Sequence, residues 1–150
     1  VIIGEGQHHF VEQLKNLQDL YPEHVRLFIG YSEMEAHLVE AGCDFFVMPS
    51  RFEPCGLNQL YSLRYGTLPI VHHVGGLADT VVNATEENLK HKTATGIVFY
   101  QPTTIELHTA LVRAVKLYQQ PKLMSQVQKT AMHENFDWHQ SAEQYLSLYT

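Results

Sequence analysis

The chain has 150 residues, enough for one domain that buries roughly two thirds of its unfolded surface. Ten Lys plus Arg stand against sixteen Asp plus Glu, for a formal charge of −6, which argues against the basic field that nucleic-acid binders need. The longest apolar runs are about five residues, far short of the roughly twenty that span a bilayer, no charged-then-apolar leader is expected, and two cysteines without a CxxC form neither a disulfide framework nor a zinc site; the expectation is a soluble chain in a reducing compartment, with no nucleic-acid or membrane partner.

In chain order, β-branched and aromatic runs alternate with helical patterns, the mark of βα units winding a parallel sheet. Strands are expected near Val1 to Ile3, Val25 to Ile29, Asp44 to Met48, Leu68 to His73 and Gly96 to Phe99. Between the first two, Phe10, Leu14, Leu17 and Tyr21 recur at helical spacing until Pro22. Ser32 and Glu35 form a capping box for a helix that stops at Gly42. Thr103 and Glu106 form another, for a helix through Leu107, Leu111, Val115 and Tyr118 that Pro121 breaks. Thr85 to Thr95 reads as a long polar surface loop. In the tail, Asp137 to Gln140 cap a helix whose Trp138, Tyr145 and Tyr149 would pack on the sheet. The opening Val1-Ile2-Ile3-Gly4 reads as a buried strand without a lead-in, so the chain is expected to be a piece of something longer.

The stretch PSRFEPCGLNQLY, Pro49 to Tyr61, carries the chemistry. Ser50 and Glu53 match a capping box, but Pro54 pushes Glu53 out of the helical region, so the helix should begin after it, near Gly56. Glu53 then stands past the carboxyl end of a strand, where parallel α/β sheets bind ligands. The amides of Gly56, Leu57 and Asn58 at the helix start, helped by the dipole, suit a phosphate. An acid beside such a cradle implies a ligand with an anionic end and a hydroxyl-rich end. Gly75 and Gly76, before another helix, are either a second amide cradle or a tight turn, and Asp79 would favour that helix's N-terminus. His72 or His73 at a strand end could face the cleft. The adjacent pairs His8-His9 and His72-His73 face opposite ways on a strand, so no metal site is expected. Gly4-Glu5-Gly6 lacks the further glycine and acid of a dinucleotide fingerprint.

The block PSRFEPCGLNQLYSLRYGTLPIVHHVGGLADTVV, Pro49 to Val82, resembles the signature of bacterial glycogen synthases and plant starch synthases, retaining glucosyltransferases of the GT-B fold that use ADP-glucose. FIGY at Phe28 to Tyr31 and the GCDFFVMPS strand extend the resemblance over essentially the whole chain. It implies an α/β, Rossmann-like parallel sheet with helices on both faces, the C-terminal nucleotide-sugar-binding domain of a two-domain protein. Residues 1–150 would be a single domain, a fragment lacking its first βα unit and the N-terminal acceptor domain. The family's donor-site glutamate falls on Glu53, at the glucose hydroxyls. Its neighbouring cysteine falls on Cys55, a wall of the sugar pocket, and its adenine-stacking tyrosine on Tyr31, a position that by itself reads as ordinary edge packing. Where many retaining GT-B enzymes carry a second acid, this chain has Tyr61, as in the glycogen and starch synthase branch. The family's diphosphate-neutralising arginine and lysine would lie just before Val1. The resemblance further implies no cofactor beyond the ADP-glucose donor, an α-1,4-glucan acceptor held by the absent domain, an inactive isolated fragment, and a bacterial cytoplasm or a plastid. Among the alternatives are a related transferase with another sugar nucleotide and a non-catalytic α/β module in which Glu53 only caps a helix.

Overall fold

A computed structural model describes residues 1–149, which fall into two compact units, Val1–Gly42 and the remainder from Cys43 onward. In the first, β1 (Ile2–Gly4) pairs in parallel with β2 (Leu27–Ile29), Ile3 opposite Phe28. The connecting α1 (His8–Leu20) closes at Tyr21, one residue before Pro22. Gln18 Oε1 accepts from the Leu27 amide at 2.7 Å, tying the helix to the entry of β2. The next helix, α2 (Glu33–Gly42), is capped by Ser32, whose hydroxyl accepts from the Glu35 amide at 3.3 Å.

The second unit is built on β3 (Phe45–Met48), β4 (Leu68–His72) and β5 (Ile97–Phe99), all parallel in the order β3-β4-β5. Alternation along the strands divides the core. Leu68, Ile70, Ile97 and Phe99 face buried residues of α3 (Asn58–Tyr65), α6 (Thr104–Tyr118) and α7 (Pro121–His133). Val71, Met48 and Val98 face Leu77 of α4 (Gly75–Thr80) and Val81. The sheet is thus covered on both sides, as a parallel sheet requires. Burying each of these aliphatic side chains contributes roughly 1.5–3 kcal/mol. Among the described residues no helix is long and apolar enough to cross a membrane.

All five expected strands form, each within two residues of its expected ends. Thr103 caps α6 as expected, accepting from the Glu106 amide at 3.3 Å. Three expectations need correction. The Thr85–Thr95 segment is not a loop throughout: α5 (Glu86–His91) starts at Thr85, whose hydroxyl accepts from the Asn88 amide, and Gln126 of α7 donates to Leu89 O at 2.9 Å. Pro121 both ends α6 and opens α7, a helix the sequence reading did not name, which buries Met124, Val127 and Ala131. The tail helix α8 (Trp138–Ser147) has its Asp137 cap, but Trp138 is 80% exposed and Tyr145 and Tyr149 are exposed too, so this face does not pack on the sheet.

Ser62 lies in α3 with its hydroxyl fully buried and no partner among the described residues. Removing that desolvated group, and adding the better helix former, is expected to raise unfolding free energy by about 1 kcal/mol in the Ser62→Ala full-length protein. Denaturant titration checks this, and a loss of stability would reveal a hydrogen bond at Ser62.

Candidate functional site at the ends of β3 and β4

The segment between β3 and α3 is irregular, from Pro49 through Leu57. No helix starts at Ser50, so Glu53 caps none, in keeping with the effect of Pro54. The helix begins at Asn58, two residues later than expected. Gly56 precedes it in the left-handed region at φ 71°, and Leu57 is the N-cap residue. Of the three cradle residues, only Asn58 is therefore helical; Gly56 and Leu57 belong to the lead-in.

Glu53 is half-buried and held at two points. Its carbonyl accepts from the Gly76 amide at 3.0 Å, and its Oε2 accepts from Ser50 Oγ at 3.3 Å. Ser50 is fixed in turn from β4: His72 Nδ1 lies 2.8 Å from the Ser50 carbonyl, which can only accept, so Nδ1–H donates. Of the two histidines expected at the strand end, His72 is buried, 7% exposed, and His73 is exposed and lies against Tyr100.

The glycine pair after β4 serves this arrangement. Gly75 opens α4 at φ 46°, and a Cβ on it would overlap the Glu53 carbonyl. A Cβ on Gly76 would overlap the carbonyl of Cys55. Of the two readings left open, the cradle is corrected for Gly76 alone, whose amide is occupied by Glu53 O, while the Gly75 amide donates to no described residue. Asp79 sits in the last turn of the six-residue α4, not at its N-terminus, so the dipole reading is corrected. Cys55 is exposed and unpaired, and Leu57 and Asn58 are exposed beside it. In the other unit, Tyr31 follows β2 with its ring 83% exposed, free of the edge packing its position allowed. Among the described residues no group of three His, Cys, Asp or Glu could hold a metal ion. Gln59 and Thr80, not among the residues expected from sequence, are hydrogen-bonded to this loop and its glycine turn; the only local signal was an amide side chain in the first turn of a helix.

What the arrangement offers is a carboxylate able to accept from hydroxyl groups and, three and four residues on, two backbone amides before a helix N-terminus. Substituting Gly76→Ala in the full-length protein must displace the Cys55 peptide; a stability loss of roughly 1–3 kcal/mol is expected, read by denaturant titration. Unchanged stability would mean the loop can retreat freely from α4.

Comparison with known proteins identifies the family and the fold. The sequence family described as Glycosyl transferases group 1 matches residues 1–132. The chain is 54% identical over 149 residues to a glycogen synthase of Hydrogenovibrio crunogenus and 52% identical to one of Thioalkalivibrio sulfidiphilus, covering 99% of this chain in both cases. It spans only about 30% of the length of those relatives. Among solved structures, the catalytic domain of starch synthase IV from Arabidopsis thaliana bound to ADP and acarbose matches with a TM-score of 0.81 and 33% identity, over 97% of this chain and 30% of that one. With the matched family covering most of its length and the α/β fold shared with GT-B glycosyltransferases, the chain belongs to the group 1 glycosyl transferases.

Proposed function

We propose that the chain is the nucleotide-sugar-binding part of a glycogen or starch synthase, which transfers glucose from ADP-glucose to the non-reducing end of an α-1,4-glucan with retention of anomeric configuration. The observation that carries this is the double anchoring of Glu53, at its carbonyl by Gly76 and at its carboxylate by Ser50. A carboxylate held in that way, beside a helix start, suits a sugar joined to a diphosphate. The names of the relatives and the ADP in the plant starch synthase support the same donor.

In this reading the glucose hydroxyls donate to Glu53, whose negative charge also favours positive charge building on the anomeric carbon. As the bond to the diphosphate breaks, charge grows on the leaving oxygen, and amides already aimed there lower the barrier without reorganising. Gly56 and Leu57 supply them. Cys55 walls the sugar pocket, Tyr31 stacks on adenine, and the acceptor glucan is held by residues outside this chain. The reaction is proposed to need no cofactor or metal.

Titration of the full-length protein with ADP-glucose and UDP-glucose, with and without a chelator, tests the reading. Saturable binding and glucan extension with ADP-glucose, undiminished by the chelator, are expected; no saturable binding, or a preference for another sugar nucleotide, would overturn it. Glu53→Ala should lower kcat by roughly 10²-fold or more while ADP affinity stays within about twofold. Tyr31→Ala should do the reverse and weaken ADP binding first, by about tenfold. Steady-state kinetics paired with calorimetric ADP titration separates the two, and equal losses in both quantities for Glu53→Ala would contradict its assigned role.

A further inference from the structure

The Glu53–Gly56 segment lies outside any helix or strand ladder, so its peptide planes must be fixed by other partners. One side chain fixes two of them. Gln59, in the first turn of α3 and 0% exposed, donates from Nε2 to the carbonyls of both Cys55 and Gly56, each at 3.0 Å. The same nitrogen lies 3.4 Å from Thr80 Oγ1, and that hydroxyl donates to Gly76 O at 2.6 Å. The carboxamide therefore joins the loop to α4. Space for it depends on Gly56, where a Cβ would overlap Gln59 Oε1.

In a trans peptide the carbonyl and the amide of one unit point in opposite directions, and no cis peptide occurs here. Drawing the carbonyls of Cys55 and Gly56 inward onto Gln59 thus turns the amides of Gly56 and Leu57 outward. Neither amide donates to a described residue. We propose that Gln59 is a positioning residue that aims the Gly56 and Leu57 amides at the diphosphate of the donor, an inference that rests on the sugar-nucleotide reading above. Both N–H donors of the buried carboxamide are thereby spent on this loop rather than on the core around it. Its two acceptors are the partners, within their peptide planes, of the Gly56 and Leu57 amides.

The test uses the full-length protein and two variants. Gln59→Met keeps length and burial but donates nothing; Gln59→Glu is acceptor-only when ionised and regains one O–H donor when protonated. ADP affinity, the KM for ADP-glucose, the KM for the glucan acceptor and the thermal midpoint are measured for each. Gln59→Met is expected to weaken ADP binding and raise the donor KM by about tenfold, with the acceptor KM unchanged. Gln59→Glu should show ADP affinity that recovers as pH falls toward the carboxylate range, a trend absent from the parent and from Gln59→Met. Wild-type ADP affinity at neutral pH in either folded variant, or equal losses toward donor and acceptor, overturns the proposal. If Gln59→Met does not fold, the pH trend of Gln59→Glu decides, and a flat profile counts against it. Absence of saturable ADP-glucose binding by the unsubstituted protein would instead sink the functional reading beneath.

Discussion

Two stretches of backbone lie so close after β3 and β4 that neither Gly75 nor Gly76 could carry a side chain without striking the carbonyls of Glu53 and Cys55. That approach fixes the rest of the site. β3 and β4 pair in parallel with Met48 opposite Val71, so their carboxyl ends are level and the segments leaving them emerge side by side. The Gly76 amide closes the gap by donating to Glu53 O. Sheet register sets where the two segments start, and the glycine pair sets how near they come.

On that frame a short polar relay orients the acid. His72 donates to the Ser50 carbonyl, and the Ser50 hydroxyl donates to one oxygen of Glu53. A hydrogen bond to a backbone carbonyl contributes about 1 kcal/mol net, and one to a carboxylate roughly 1.5–3 kcal/mol. No cation pairs with the carboxylate among the described residues. The acid is held in place without being neutralised, which leaves it able to accept from a ligand. An arginine at the same point would have fixed it more firmly and taken up both oxygens.

The helix dipole makes a smaller contribution than the position of the glycine first indicates. α3 begins at Asn58, so Gly56 and Leu57 are not the first turn of a helix but its approach, and their direction depends on what holds their carbonyls. Those bonds come from Gln59 for the peptides beginning at Cys55 and Gly56, while Gly76 holds the one beginning at Glu53. A left-handed Gly56 allows this geometry, because at φ 71° an L-residue would be strained even before it met the carboxamide.

Much of this was legible in the residues themselves, wherever the physics is local. β-branched runs placed the strands, Ser32, Thr103 and Asp137 placed helix starts through bonds spanning two or three residues, and Pro54 kept Glu53 out of a helix. Proximity across the chain was not legible. Thr85–Thr95 contains a helix partly because Gln126 and Thr130 of α7 bind the carbonyls of Leu89 and Lys92, more than thirty residues away. The occupied amide of Gly76 and the reach of Gln59 to Thr80 follow likewise from strand register. Sequence alone determined which residues could bear the chemistry, since backbone preference acts within one turn; tertiary structure decided which amides stay open, because a buried hydrogen bond forms only where packing has already brought its two ends together.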